Sequence, residues 1–135
     1  MDKFERAELF SKIFDELDID NQIDDDNDIV IEANNFRVFF IIPTEEDDYY
    51  SFVWPRLFSP KSYKEHARAL HACNMVNARI KVCKAFISNG HVRLAAELYI
   101  IEPEALKRLA GRLIQTLSAA AIIFAQNMQE TNIAK

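Results

Sequence analysis

Histidines, cysteines and clustered carboxylates are the groups of this chain that could do chemistry, and their spacing decides whether they do. His66 and His71 stand five residues apart in a stretch that reads as helix. That spacing sets them about 140° apart around the axis, so they do not share a metal or a substrate as an i, i+4 pair would. Cys83 and His91 fall on opposite faces of one alternating segment, which separates a nucleophile from its base. Cys73 falls in the helix with the histidines, and both thiols read as buried and free. Asp24-x-Asp26-x-Asp28 offers clustered oxygens to a hard cation. An EF-hand loop also needs Gly at its sixth position and Glu at its twelfth, where this chain has Ile29 and Asn35. No CxxC, HExxH, GxSxG, GxGxxG or phosphate-loop pattern occurs. The other carboxylates sit in loops that read as solvated, where nothing would raise one pKa over another. The expectation is no enzyme, with no catalytic residue, cofactor or metal site.

Recognition chemistry is left, and it points to Lys84, Phe86, Arg93 and Tyr99. They lie in RIKVCKAFISNGHVRLAAELYII, residues 79–101, where two alternating segments flank Asn89-Gly90. That dipeptide is a strong hairpin signal, since a type I′ turn needs φ > 0 at both central residues. A two-residue loop sets Ser88 opposite His91, Ile87 opposite Val92, Ala85 opposite Leu94 and Cys83 opposite Ala96. Cys83, Ala85, Ile87, Val92, Leu94, Ala96 and Leu98 then share an apolar, core-facing surface. The other face is mixed. It gathers Lys84, Phe86, Arg93 and Tyr99 into a surface able to meet acidic or aromatic groups by charge and by cation–π contact.

The remaining elements must position that hairpin. Residues 2–17 read as a helix with Asp2 as its cap and Phe10, Ile13, Phe14 and Leu17 inward. Residues 18–28 read as an acidic connection. Ile29–Ala33 and Phe36–Ile42 read as strands joined by Asn34-Asn35, the second apolar on both sides. Tyr49–Trp54 gives a third strand, closed by Pro55. Ser59-Pro60 reads as the start of a helix running to about Asn77, with Tyr63, Ala67, Leu70 and Cys73 or Asn74 inward. Asn77 suits a left-handed C-terminal cap. Glu102-Pro103-Glu104 opens a last helix with a continuous inner stripe from Leu106 to Met128. Ile114, Ile122 and Ile123 widen that stripe beyond what one sheet face needs, which hints at self-association.

At 135 residues, half of them hydrophobic, the chain fits one domain over residues 1–135 with a sizeable core. MDKFERAELF lacks an apolar segment and reads as no secretory signal, so cytoplasmic residence is the default. The most apolar run, Leu113–Ala125, reads as too short to span a bilayer. The net charge of −5 is segregated: thirteen acids face one base between Asp15 and Asp48, and eleven bases face four acids between Arg56 and Arg112. The acidic block argues against nucleic acid as a partner.

The order helix, three strands, helix, hairpin, helix, together with ACNMVNARIKVCKAFISNGHVRLAAELYI and the terminal IIFAQNM, resembles the YbjN family of bacterial sensory transduction regulators. The likeness covers nearly the whole chain, and Asn74-Met75-Val76-Asn77, Lys81, Lys84-Ala85 and the Asn-Gly turn carry it best. It implies an α+β fold, an αβββαββα sandwich of antiparallel sheet with helices packed on it, like type III secretion chaperones. It also implies a frequent homodimer and no active site to carry over. The expected function is a non-enzymatic protein-binding module, a regulator or chaperone-like adaptor that engages another protein or peptide segment. The alternatives are a class I secretion chaperone for one effector, or a regulator that binds a small ligand.

Overall fold

Asp2 and Glu5 decide where the first helix begins. The Asp2 carboxylate accepts from the Glu5 N–H at 2.8 Å while the Glu5 carboxylate accepts from the Asp2 N–H at 3.1 Å, a reciprocal cap on two otherwise orphaned donors. The computed structural model describes residues 1–33, 35–45 and 47–129. In chain order they form α1 (Lys3–Glu16), β1 (Asn21–Ile23), β2 (Ile29–Ala33), β3 (Phe36–Ile41), β4 (Tyr49–Phe58), α2 (Tyr63–Arg79), β5 (Cys83–Ser88), β6 (His91–Tyr99) and α3 (Leu106–Gln129). The strands make one six-stranded sheet in the order β1-β2-β3-β4-β6-β5, in which β1–β2, β2–β3, β3–β4 and β5–β6 pair antiparallel. The fold is α+β, as expected, with one strand more than the sequence pattern announced.

Contacts divide the chain into two compact units. One comprises Met1–Val53 with Glu97–Ile114, and the other Trp54–Ala96 with the described residues from Gln115 onward. In the first, Phe10 and Phe14 of α1 meet Phe40, Tyr50 and Phe52 with ring centroids 4.9 to 6.2 Å apart. Phe10, Phe14, Phe40 and Phe52 are the largest of the fully buried side chains. Val38 and Phe40 are fully buried, whereas Phe39 and Ile41 are half-buried, so β3 is covered completely on one face only. Ala33 pairs with Phe36 at the end of the two strands. Asn35 takes the left-handed conformation at φ 73°, and Asn34 lies outside the described residues. Glu32 and Arg37, opposite each other in this register, form a 2.7 Å ion pair.

The extra strand is β1, inside the acidic run that reads as a loop. Its three residues are too few and too polar for a periodicity signal, and α1 fixes it instead. Asn21 accepts from the Ser11 hydroxyl and donates to the Asp15 carboxylate. Asp28 is likewise structural: its carboxylate accepts from the Ile42 N–H and pairs with Lys3. Lys107 bonds both Glu16 and Glu104, which pushes its own pKa up and holds Glu16 below the usual carboxylate range.

Three expected boundaries move. Pro55 does not end β4, which continues to Phe58; proline's fixed φ is extended enough for a strand, and only a donor is lost. α2 begins at Tyr63 with Ser62 as its cap, not at Ser59-Pro60, because the Ser62 hydroxyl accepts from the Glu65 N–H. Pro103–Ala105 forms a 3-10 turn ahead of α3. From Pro103 to Gln129 the helical segment is 27 residues, long and apolar enough to cross a membrane by length and composition alone; the expectation that it is too short counted only its most apolar run. A core helix passes the same test, and Leu106, Ala110, Leu113, Leu117, Ala120 and Phe124 are buried. Ile114 is buried as well and leaves the surplus, while Ile122 is 56% exposed.

Candidate interaction site

The hairpin folds in the register its turn dictates. Asn89 and Gly90 adopt φ of 52° and 80°, and the pairs run from Ser88↔His91 to Cys83↔Ala96. β5 is the last strand of the sheet, so one of its sides faces no further strand. In this register Ala85 belongs to a pair whose N–H and C=O point away from β6. Asn77 meets them. Its Oδ1 accepts from the Ala85 N–H at 2.7 Å and its Nδ2 donates to the Ala85 carbonyl at 3.0 Å. One carboxamide thus offers Ala85 what a neighbouring strand would offer. Asn77 is therefore no C-terminal cap: α2 continues to Arg79 and the chain turns through Val82, at φ 73°.

The face of α2 that packs inward is Ala69, Ala72, Cys73 and Val76. Of the inward row expected from the sequence, only Cys73 is buried. Tyr63 is 92% exposed, Leu70 50%, and Ala67 and Asn74 are exposed too. A different row, Tyr63, His66, Leu70, Asn74 and Asn77, runs at helical spacing along a groove beside β5. The groove consists of two open hollows of ≈ 530 and ≈ 500 Å³ that share His66. The first reaches Gly90 at the hairpin tip, and the second is walled by Leu70, Cys73 and Asn77 on the helix and by Ala85, Phe86 and Ile87 on the strand. Small inward residues let α2 approach the sheet closely, which leaves its larger apolar side chains standing over the edge.

Of the four residues expected to form a recognition face, three gather here. The Lys84 ammonium lies 5.4 Å from the Phe86 ring centroid, and Phe86 is directly opposite Arg93. Phe86 and Arg93 are half-buried and Lys84 is exposed. Tyr99 belongs to the other unit, where its ring lies 5.6 Å from that of Tyr49. Tyr49 donates to the Glu97 carboxylate, and burial together with that partner pushes its pKa up to about 12.

The catalytic candidates are not assembled. His66 and His71 are both exposed on α2, and His91 Nδ1 lies 2.6 Å from the Ser59 hydroxyl. Burial pushes the Cys73 and Cys83 thiols up to about 11, so neither is a ready nucleophile near neutral pH. Asp24 accepts from the N–H groups of Asp26 and Asp28, an Asx turn that shapes the acidic loop. Among the described residues no group of three or more His, Cys, Asp or Glu could hold a metal ion. Sequence reasoning missed the Asn77–Ala85 clamp, since an asparagine near a helix end suits a cap equally well. It also missed that the outer row of α2 lines a groove.

No curated protein matches the chain. The model of the YbjN family, described as "Putative bacterial sensory transduction regulator", matches residues 6–130. With nearly the whole sequence covered, this chain belongs to the YbjN family.

Proposed function

We propose that the chain is a non-catalytic protein-binding module, a regulator or chaperone-like adaptor that holds a segment of another protein. The observation that carries this reading is the outer row of α2, where Tyr63 and Leu70, seven residues apart on one helix, stand in water over an open groove. Large apolar side chains left on a helix face beside a strand edge fit a macromolecular partner. Small ligands favour enclosed cavities, and these hollows are open. The family description supports the regulator reading at a coarse level. A class I type III secretion chaperone for one effector is its narrower form.

A second reading, a small-ligand regulator acting through Lys84, Phe86, Arg93 and Tyr99, is favoured by the cation over the Phe86 ring. Affinity capture from the source cell separates the two. Tyr63→Ser with Leu70→Ser is expected to lose the captured protein, while exposed positions of this kind change stability by only about 0.5 kcal/mol. A partner kept by that variant but lost by Lys84→Glu with Arg93→Glu would move the site to the mixed hairpin face. The exposed Ile122 on α3 supports self-association as a homodimer. Light scattering is expected to exceed the monomer mass of 15.6 kDa, and that mass itself would remove the dimer.

A further inference from the structure

We infer that the partner segment is an extended peptide of alternating acidic and apolar residues, added as a strand along the free edge of β5 in the groove under α2. This rests on the protein-binding reading above and names the partner's chemistry. Three observations carry it.

The first is the edge itself. Ala85 presents its N–H and C=O outward, and Ile87, two residues along, presents its own on the same side. In the free protein Asn77 stands in for the missing strand at Ala85. A carboxamide is a replaceable stand-in: an incoming backbone supplies the same donor and acceptor, and the side chain can swing to water. The second observation is shape. A strand laid beside β5 points every other side chain toward α2, where Leu70, Cys73 and the half-buried Ile87 make an apolar wall. The intervening side chains fall on the face that carries Lys84 and Phe86. The third is charge. Between Trp54 and Ala96 the chain holds eight Lys and Arg residues and a single acid, Glu65. Glu65 is already engaged at the start of α2, where it accepts from the Lys61 N–H at 2.7 Å. A segment with acids at alternate positions matches this field, and one with bases does not.

The test uses the full chain and a fluorescein-labelled octapeptide, acetyl-Glu-Val-Glu-Ile-Glu-Val-Glu-Val, read by fluorescence anisotropy. A peptide of the same composition with its acids in one block is expected to bind at least about tenfold more weakly, because charge is conserved and pleat is not. N-methylation at alternate peptide positions is expected to abolish binding in one set and spare it in the other, since a strand donates to its neighbour only from every second residue. Lys81→Glu with Lys84→Glu is expected to weaken binding about tenfold. Asn77→Ala, which opens the Ala85 groups, is expected to tighten it about fivefold.

Equal binding of the alternating, blocked and both methylated peptides, or equal competition by a single-stranded oligonucleotide, would reduce the site to a polyanion patch and overturn the proposal. So would displacement of the peptide by a rising concentration of the protein, with mass growing in parallel, because a second copy would then own the edge. The methylated peptides need no protein variant, so misfolding of a mutant leaves the test intact. If a cellular partner is captured equally by wild type and by the Lys81→Glu, Lys84→Glu chain, the adaptor reading stands and this groove is rejected.

Discussion

The Asn77 carboxamide spends both its donor and its acceptor on one residue of a strand edge. Its removal leaves two backbone groups facing the groove, where water reaches them. A net hydrogen bond contributes roughly 1 kcal/mol, so Asn77→Ala is expected to lower stability by about 1–2 kcal/mol. A urea titration with an unchanged slope and an earlier midpoint would register that loss. At the same scale, burial makes the thiols a pH device of stability and not of chemistry. The folded Cys73 and Cys83 hold their protons to about 11, against an ordinary value near 9. The unfolded chain therefore ionises first. The contribution is fully present below pH 9 and is lost as pH rises through about 11. Tyr49, raised to about 12 from 10, extends the same loss upward. The urea midpoint is expected to fall between pH 8.5 and 11, and less so in Cys73→Ala with Cys83→Ala. A midpoint flat over that range would contradict the burial of these groups.

Among the elements, the α2–β5 junction and the β5–β6 turn make an instructive contrast. Asn89-Gly90 places residues tolerant of φ > 0 where the turn requires them, and the whole hairpin register is readable from that dipeptide. Val82 does the opposite: a β-branched, 63% exposed residue held at φ 73°. Such a conformation costs on the order of 1–3 kcal/mol, and glycine relieves it at an entropic cost of about 0.5–1. Val82→Gly is expected to stabilise the protein by about 1 kcal/mol, a rise in melting temperature of roughly 2–4 °C. An unchanged or lower melting temperature would mean that the turn is not strained. Legibility at this scale followed signal strength. β2, β3 and the hairpin were readable because alternation and turn residues agreed there. β1 was not, being three residues held by side chains from α1. Of the row Tyr63, Ala67, Leu70 and Cys73 expected to face inward, Cys73 does and the other three stand exposed. Periodicity reports that a face differs from its opposite; it does not report what that face meets.

Across the whole molecule, charge is the property that sequence alone made plain. Acids dominate Met1–Val53 by sixteen to four, and bases dominate Trp54–Ala96 by eight to one. Such segregation steers partners more than it sets the fold. Lys84, Phe86 and Arg93 were legible as a mixed hairpin face for the same reason, because pleat and register follow from the turn. The groove was not legible, because it arises from two elements brought together by packing.

The most direct measurement of partner recognition at the β5 edge is a titration of the alternating peptide into the ¹⁵N-labelled full chain, followed by amide resonances. With the peptide at this edge, the backbone amides of Ala85 and Ile87 and the side-chain amide of Asn77 are expected to shift together, and Ile87 to gain protection from hydrogen exchange. Saturating shifts confined to residues outside α2 and β5, with the Asn77 side chain unmoved, would contradict that placement.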